Sequence, residues 1–232
     1  MSERCPIMAP SRRSGFTLTD LLVLAACLSL AGAITMPWLM SGKGKVRQAV
    51  CTANLGKINQ AVLSFAAEHT QRLPGTVAGD EKRNVWWYYK EQVKSYAGLS
   101  GESSANDTLF ACPDDRGYSD PLPFHRTGRF DFSSYVFNGV TLPGMPNIAG
   151  LSLSAINQPK RTLLVMEWTA HAPLSWHQSK TGRKNTPFYC DAKSVVGFVD
   201  GHVNFVPIYY DGFNAAFTQD PIADYEYQYS AK

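Results

Sequence analysis

The chain has 232 residues, of which 18% are charged and 44% are hydrophobic, and its formal net charge at pH 7 is +3. So small a charge gives no reason to expect binding to nucleic acid, which requires a pronounced basic surface. About 190 residues follow the N-terminal segment described next, which is enough for one domain with a substantial core.

An uncharged apolar segment, residues 21–42, follows a short basic leader. As an α-helix it is about 30 Å long, which matches the hydrocarbon thickness of a bilayer. The pattern therefore predicts a membrane segment in preference to a soluble core helix. Three basic residues precede this segment and three follow it closely, so the positive-inside rule does not orient it.

The residues at the start of this segment form a distinctive motif. Gly15 is followed by Phe16, and the acidic Asp20 comes five residues after Gly15. This arrangement resembles the cleavage site of type IV prepilins and type II secretion pseudopilins, in which a prepilin peptidase cuts after the glycine and methylates the new N-terminal residue. The resemblance implies that residues 1–15 are a prepilin leader and that residues 16–40 form a transmembrane or filament-core helix. It also implies that Asp20 stands in place of the family's glutamate. Pro37 matches the proline that often bends the helix in this family.

Two other export signals compete with this interpretation. Arg12 and Arg13 lie near Phe16, as in a twin-arginine signal, but two residues intervene where that signal normally has one. An ordinary secretory signal would be cleaved after Ala33, because small residues lead up to that position. The three interpretations predict different mature N-termini, so the intact mass distinguishes them.

Helical periodicity resumes beyond the apolar segment. Apolar residues at spacings of three and four predict an amphipathic helix over residues 46–65, which Leu73-Pro74-Gly75 should end. The tetrad Trp86-Trp87-Tyr88-Tyr89 then indicates a short helix or an aromatic wall. For these rings, packing in the core or between subunits is favoured over carbohydrate stacking, because aromatic side chains bury large apolar areas.

The second half of the chain predicts β-structure. A short strand is expected over residues 133–139, and an interior strand is expected over residues 163–168, whose continuous apolar run indicates burial on both faces. Two β-rich runs flank Asp200-Gly201, which predicts a hairpin with a type I′ turn. The tail after Tyr209 is expected to lie on the surface or to be partly loose.

Together these elements predict an α+β fold, and the prepilin resemblance implies that the fold is pilin-like. A long N-terminal helix, first apolar and then amphipathic, should pack on an antiparallel β-sheet. Residues 41–232 should form the extracytoplasmic pilin-like globular domain.

The chain contains five cysteines, three of which remain for an oxidising compartment. Cys5 falls in the leader and Cys27 in the apolar segment, which leaves Cys51, Cys112 and Cys190. An odd number predicts one disulfide and one free thiol, with three pairings open. No CxxC, HExxH or similar spacing occurs, so the sequence predicts no zinc site.

Six short pieces stand in order along the mature chain. They are Cys51…Asn54-Leu55…Ile58, Leu73-Pro74, Phe110…Cys112-Pro113-Asp114, Ser134-Tyr135…Asn138-Gly139, Pro159…Glu167 and Phe198…Asp200-Gly201-His202-Val203. In this order they resemble a bacterial family that combines a prepilin-type N-terminus with a C-terminal signature of histidine, nine residues and Asp-Gly. That family is pilin- or pseudopilin-like and has no established enzymatic activity. Cys190 occupies the histidine position of the signature. Because the shared pieces contain both Cys51 and Cys112, the resemblance implies that these two form the disulfide, with Cys190 as the alternative partner of Cys112.

The C-terminal acids raise two chemical alternatives. Asp200 and His202 are a candidate acid–base pair, but no nucleophile motif such as GxSxG accompanies them, and the turn already explains Asp-Gly. Calcium is the second alternative, since major pseudopilins hold it in a C-terminal loop through oxygen ligands. Asp211, Asp220 and Asp224 supply acids but not in a recognised loop spacing, so no metal ligand is assigned.

The sequence therefore predicts a structural subunit of a type IV pilus-like or type II secretion pseudopilus filament, and not an enzyme. Expected partners are prepilin peptidase, other pilin or pseudopilin subunits and the inner membrane, with no nucleic acid and no cofactor. The protein is expected to cross the inner membrane once, with its C-terminal domain in the periplasm or in an extracytoplasmic filament. Asp20 and Pro37 are the predicted assembly residues, and Asp20 argues against a place at the very tip of a filament. The alternative is a membrane-tethered binding module for glycans or cell-wall material that does not polymerise.

Overall fold

The computed structural model describes residues 17–80, 83–118, 122–171, 174–178, 192–210 and 218–232, and the side chains of residues 32–41 lie outside this description. Several residues that the sequence analysis singles out also lie outside the described residues. They are Cys5, Arg12, Arg13, Gly15, Phe16, Cys190 and Asp211.

The chain divides into two compact units, Met1–Lys43 and Gly44–Lys232. Helix α1 extends over Leu18–Glu68 and contributes to both. In the first unit, the described leucine and valine side chains of α1 are exposed. They are Leu18, Leu21, Leu22, Val23, Leu24, Leu28 and Leu30. Within the described part of the chain, no helix has both the length and the apolar character that crossing a membrane requires. Residue 16 and the side chains of residues 32–40, which belong to the predicted membrane segment, lie outside that set.

In the second unit, the apolar stripe of α1 faces the core. Cys51, Leu55, Ile58 and Val62 are fully buried, and these are positions that the spacing of three and four places on one helix face. Phe65, the last residue of the predicted stripe, is instead partly exposed. Burial of a large apolar side chain stabilises the fold by roughly 1.5–3 kcal/mol, so this face fixes α1 to the rest of the unit.

The sheet has four antiparallel strands in the order β1-β2-β3-β4. The strands are β1 (Tyr135–Phe137), β2 (Leu163–Glu167), β3 (Lys193–Phe198) and β4 (Val203–Pro207). All five residues of β2 are buried, as its continuous apolar run predicts for an interior strand. These elements confirm the α+β class and the antiparallel sheet.

Helix α1 approaches the sheet closely where β3 carries Gly197. A Cβ added at Gly197 would collide with the side chain of Asn59, which is fully buried. The Asn59 amide nitrogen donates a hydrogen bond to the carbonyl oxygen of His202 at 3.4 Å. The glycine inside this strand therefore reflects the close approach of a helix.

Helix α2, Val85–Val93, contains the aromatic tetrad. Tyr89 is fully buried, while Trp86 and Trp87 each pack against Trp168, with 5.7 and 5.6 Å between ring centroids. Packing within the chain therefore accounts for these rings.

The turn between β3 and β4 differs from the predicted type. The Phe198 N–H donates to the His202 carbonyl oxygen, and the Gly201 N–H donates to the Phe198 carbonyl oxygen, both at 2.9 Å. The φ angle is +94° at Gly201, but Asp200 is not among the described residues with positive φ. A type I′ turn requires positive φ at both central residues, so that prediction is wrong. The loop has three residues and closes with a glycine in the left-handed region.

The end of the C-terminal tail packs into the core, so the prediction of a surface or loose tail is wrong for residues 227–229, whereas most of the described residues 218–226 are exposed. Tyr227 and Tyr229 are fully buried. The tail returns to the start of β2, where the Leu163 N–H donates to the Gln228 carbonyl oxygen at 3.0 Å. The carboxylate of Asp220 holds the tail by accepting the Tyr229 N–H at 2.6 Å.

Candidate functional site

A disulfide joins α1 to the chain segment that precedes β1. Cys51, on the buried face of α1, is bonded to Cys112, and both residues are fully buried. Cys112 follows the short 3-10 helix Thr108–Phe110, so the bond holds the next residues of that segment beside α1. The alternative partner, Cys190, lies outside the described residues.

Two titratable side chains lie against this disulfide. Glu167 is the last residue of β2, and its Oε1 lies 3.5 Å from the Cys112 sulfur. The His177 Nε2 lies 3.8 Å from the same sulfur and 2.7 Å from the Glu167 Oε1. The side chain of Glu167 is 0% exposed and that of His177 is 2% exposed. A buried ion pair carries a desolvation cost and is weak evidence for stability, so it marks this cluster as a functional-site candidate.

A second layer of polar contacts orients this pair. The Asp114 Oδ2 lies 3.0 Å from the His177 Nδ1, and the Asp114 Oδ1 accepts from the Arg47 Nε at 2.5 Å. On the other side, the Val195 N–H of β3 donates to the Glu167 Oε2 at 2.8 Å. Each ring nitrogen of the histidine therefore faces a carboxylate, and each carboxylate is held by a further donor.

The electrostatic environment favours the protonated imidazole. Burial by itself lowers the pKa of His177, but the hydrogen bond and charge of Glu167 and the charge of Asp114 outweigh it, so the pKa lies above its ordinary value of 6.5. An imidazolium donates from both ring nitrogens, which suits a ring placed between two carboxylates.

The cluster also contains atoms that bind metal ions. Among the described residues, one group of histidine, cysteine and acidic side chains brings its potential ligand atoms within 4.8 Å of one another: Cys51, Cys112, Glu167 and His177. Sequence reasoning missed this group because its members come from distant parts of the chain. The signal in the sequence is that Cys51, Cys112 and Glu167 all belong to the pieces that carry the second family resemblance.

The neighbouring Asp115 forms a separate, structural network. Its carboxylate accepts hydrogen bonds from three backbone N–H groups and, at 2.7 Å, from the Ser134 hydroxyl. The Ser134 oxygen in turn accepts from the Cys112 N–H at 2.9 Å. Because this hydroxyl donates to a carboxylate and not to an imidazole, Ser134 is not arranged as a histidine-activated nucleophile.

Asp200 and His202, the signature hairpin residues, lie on the turn between β3 and β4. The His202 Nδ1 lies 2.5 Å from the Asp200 Oδ1, and the His202 ring stacks on Phe198 with 4.1 Å between centroids. The side chain of His202 is 43% exposed. These contacts are local to the turn and fit a structural role for the hairpin.

The acids considered for calcium have other surroundings. The two carboxylate oxygens of Asp220 accept the backbone N–H groups of Tyr229 and Ser230 at 2.6 and 3.0 Å. Asp224 is exposed, and Asp211 lies outside the described residues. Within the described ranges, Asp220 and Asp224 do not belong to a group placed to hold a metal ion.

A second buried charge lies on α2. The Lys90 Nζ donates to the backbone carbonyl oxygen of Asp131 at 2.8 Å and forms a 2.9 Å ion pair with Asp107. Burial lowers the pKa of Lys90, although the bond to Asp107 acts against this shift. Lys90 therefore ties α2 to the loops that precede β1.

Asp131, beside this lysine, is expected to make stability depend on pH. Burial, and to a lesser degree the charge of Glu91, raise the pKa of its carboxyl to about 7. The pKa of Asp131 is higher in the folded state than in the unfolded chain, so protonation of this carboxyl adds to the free energy of unfolding. This contribution is fully present at about pH 4 and below, and it is lost as the pH rises to about 7. We expect Asp131→Asn to raise the free energy of unfolding at about pH 8 by about 1 kcal/mol, after allowance for solvent screening, and to change it little at about pH 4. Urea denaturation at both pH values measures this, and asparagine tolerates the φ of +54° at this position.

Asp107→Asn is the matched control, with the opposite sign. Burial acts to raise the pKa of Asp107, but the hydrogen bonds from Lys90 and the Ser104 N–H, with the charges of Lys90 and Lys94, together outweigh it, so the net shift is downward. Loss of this carboxylate should therefore lower the free energy of unfolding at about pH 8. Equal effects of the two substitutions would contradict the expectation for Asp131.

The predicted processing and assembly residues lie at the N-terminal end. Gly15 and Phe16 are outside the described residues, and Pro37 lies within the bounds of α1 in the stretch whose side chains are not described. Asp20 is in the first turn of α1, where its Oδ2 accepts the hydroxyl of Thr17 at 2.6 Å and the N–H of Thr17 at 3.0 Å. Asp20 is exposed, so it caps the helix locally while its carboxylate stays accessible.

Comparison of the chain with known protein families, with characterised proteins and with solved structures finds no match in any of the three. The chain is an α+β protein with an antiparallel sheet. At the end of β2 it has a buried cluster that consists of a disulfide, a glutamate and a histidine.

Proposed function

We propose that this protein is a structural subunit of a type IV pilus-like or type II secretion pseudopilus filament. The observation that carries the proposal is the N-terminal motif, in which Gly15-Phe16 and Asp20 lead into the uncharged residues 21–42. The proposal includes a pilin-like fold, with a long N-terminal helix packed on the sheet. The extent of α1, Leu18–Glu68, and the antiparallel sheet support this part of it.

The apolar side chains of the first unit support the role of a subunit. Leu21, Leu22 and Leu28 are 60%, 62% and 65% exposed. An apolar surface exposed in this way marks a place where lipid or another protein binds. In the proposed cycle these side chains are covered by lipid before assembly and by the same helix of neighbouring subunits afterwards.

The second unit supplies a firm attachment for its part of α1. The buried face of the helix packs on the core, and the Cys51–Cys112 disulfide adds a covalent link. Such anchoring suits a helix whose other end must leave the lipid and dock in a filament without the globular body unfolding.

The proposal assigns the protein no enzymatic activity. The Ser134 hydroxyl is bonded to the Asp115 carboxylate, and the Asp200–His202 pair lies on a turn with local contacts. Both observations favour structural roles for the residues that would be the first candidates for catalysis.

Processing is the direct test of the proposal. When the full-length chain is produced together with a prepilin peptidase, the intact mass should show the loss of residues 1–15 and one added methyl group on Phe16. Gly15→Val should block cleavage, whereas Ser14→Ala, at the neighbouring position, should leave it unchanged. A mature chain that begins at Ile34 would contradict the proposal and identify an ordinary secretory signal.

Cross-linking in intact cells separates a filament subunit from a tethered binding module. A subunit should give a ladder of multimers, and the ladder should disappear when residues 16–40 are replaced by an unrelated single-span anchor. A correctly processed chain that gives no ladder of cross-linked multimers would contradict the filament proposal and favour the binding module.

A further inference from the structure

We propose that the cluster beside the disulfide is a redox-gated zinc site, which forms when the Cys51–Cys112 bond is reduced. In the reduced state the two thiolates, the Glu167 carboxylate and the His177 imidazole bind one Zn²⁺ ion. In the oxidised state the sulfurs are bonded to each other and the ion has no site. The proposal concerns the second unit and does not depend on whether the chain forms filaments.

The four ligand atoms are already gathered into a space that fits a zinc ion. In the disulfide form they all lie within 4.8 Å of one another. A tetrahedral site with bonds of about 2.0–2.3 Å places its ligand atoms about 3.3–3.8 Å apart. After reduction the sulfurs separate, and the His177 Nε2, now 2.7 Å from the Glu167 Oε1, needs to move by only about 0.6 Å.

The surrounding residues orient these groups in the manner of zinc ligands. A histidine that binds a metal almost always directs its other ring nitrogen at a carboxylate, a carbonyl or water. Here the Asp114 Oδ2 lies 3.0 Å from the His177 Nδ1, so Nε2 faces the sulfurs, 3.8 Å from that of Cys112. The Glu167 Oε2 is engaged by the Val195 N–H, which directs Oε1 to the position of the ion.

The donor set selects zinc over calcium or magnesium. Thiolates are soft ligands, and two thiolates with an imidazole and a carboxylate match the ligand types and the number of a tetrahedral zinc site. Calcium instead takes six to eight oxygen ligands. Cys51, Cys112 and Glu167 are fully buried, and the side chain of His177 is 2% exposed. Four protein ligands in so enclosed a place form a closed site, which is the structural class of zinc centre.

Zinc ligation also accounts for a costly feature of the oxidised form. Glu167 and His177 form a buried ion pair beside an apolar disulfide, and desolvation opposes the burial of both groups. Apolar side chains of similar volume would serve stability at least as well. A role as metal ligands in the reduced form explains why ionisable groups occupy these positions.

Reduction of the Cys51–Cys112 disulfide to two thiols takes up two electrons and two protons. A dithiol reductant attacks the disulfide by thiol–disulfide exchange, becomes a disulfide itself and leaves two protein thiols. Zinc binding then releases one proton from each thiol and the Nε2 proton of the His177 imidazolium, because two thiolates and a neutral imidazole nitrogen are the ligands. Exchange with an oxidised dithiol reforms the Cys51–Cys112 bond and expels the ion.

The test measures metal binding by the full-length protein in detergent, with Co²⁺ and Zn²⁺ as probes. A phosphine reduces the disulfide and takes up the oxygen atom of one water molecule, which also supplies the two protons. The reduced chain should bind one Co²⁺ ion with tetrahedral visible bands and thiolate-to-cobalt charge-transfer absorption, and Zn²⁺ should displace it. The oxidised chain, which has no thiolate at this site, should bind Co²⁺ at least about 100-fold more weakly.

Variants of the cluster locate the binding. His177→Ala should weaken the affinity for Co²⁺ by more than the roughly 10–100-fold that loss of an outer-shell partner costs. Asp114→Asn, which removes the carboxylate behind the histidine, should cost roughly 10–100-fold and keep one Co²⁺ per chain. His202→Ala is the matched control, because it removes an exposed histidine that is also bonded to an acid. Cys190→Ser is the control for the thiol at the signature position, and neither control should change the affinity.

Three results would overturn the proposal. The first is a reduced wild-type chain that binds no Co²⁺ at micromolar concentrations, and the second is equal binding by wild type and His177→Ala. The third is a reduced chain that unfolds, as measured by circular dichroism, and whose helical signal is not restored by Zn²⁺.

Discussion

Loss of the Cys51–Cys112 disulfide is expected to lower the free energy of unfolding by about 4 kcal/mol. The two cysteines are 61 positions apart in the sequence. A cross-link over this distance removes conformational freedom from the unfolded chain, and the chain-entropy relation gives about 4 kcal/mol for a loop of this length. The double variant Cys51→Ala with Cys112→Ala tests the expectation, because serine would place two hydroxyl groups in the core.

The measurement is urea denaturation of the full-length protein in detergent, followed by circular dichroism, without reductant and with a chelator present. Cys27→Ser is the matched control, because Cys27 is a free, exposed thiol in the described part of the chain. Cys190→Ser tests the alternative pairing. A loss in Cys190→Ser as large as that in the double variant would contradict the Cys51–Cys112 bond and indicate that Cys190 is the partner.

The same double variant separates the covalent effect from the effect of zinc. Reduction of the wild-type chain in the presence of a chelator should give the same loss of stability as the double variant. Zn²⁺ should then recover part of this loss in the reduced wild type, since a ligand that binds only the folded state stabilises it. It should recover none in the double variant, which lacks both thiolates.

Local patterns of apolar residues predict the elements of this fold whose buried positions follow a helix or strand repeat. The continuous apolar run of residues 163–168 corresponds to β2, and the spacing of three and four identifies the buried face of α1. Long-range contacts decide the remainder. Tyr227 and Tyr229 are buried because the tail returns to the start of β2, and no local pattern distinguishes them from surface tyrosines. The turn at Asp200 likewise depends on the pairing of the strands on either side of it.

Local sequence patterns do not predict the candidate site either, because it too depends on long-range contacts. The sequence argument against zinc rests on motifs that place ligands a few residues apart on one hairpin or helix. Here Cys51 lies 61 positions from Cys112, which lies 65 positions from His177. Glu167 reads in the sequence as the polar end of an apolar strand, and His177 as a residue of a polar loop. Only the pairing of the strands and the docking of α1 bring these groups together.

Asp20→Ala is expected to leave cleavage after Gly15 intact and to reduce cross-linked multimers by more than about tenfold. A carboxylate inside an apolar membrane segment carries a desolvation cost unless it is paired. The resemblance to pilins implies that this acid meets the N-terminal amine of a neighbouring subunit, so that docking in register relieves the cost. The expected tenfold effect corresponds to about 1.4 kcal/mol in the docking equilibrium.

Three further variants separate the charge of Asp20 from its local hydrogen bonds. Asp20→Asn keeps the size of the side chain and should fail to assemble, as alanine does, because it removes the charge. Asp20→Glu introduces the acid that is usual in pilins and should assemble. Thr17→Val removes the 2.6 Å hydroxyl contact but leaves the carboxylate, so it should assemble as well.

Two outcomes would contradict the pairing of charges. Normal filaments from Asp20→Asn are the first. The second is a defect in Thr17→Val as severe as that in Asp20→Ala, which would make capping of α1 the better explanation. In the proposed pathway cleavage precedes assembly, so the intact mass of each mature chain shows whether a defect belongs to assembly or to processing.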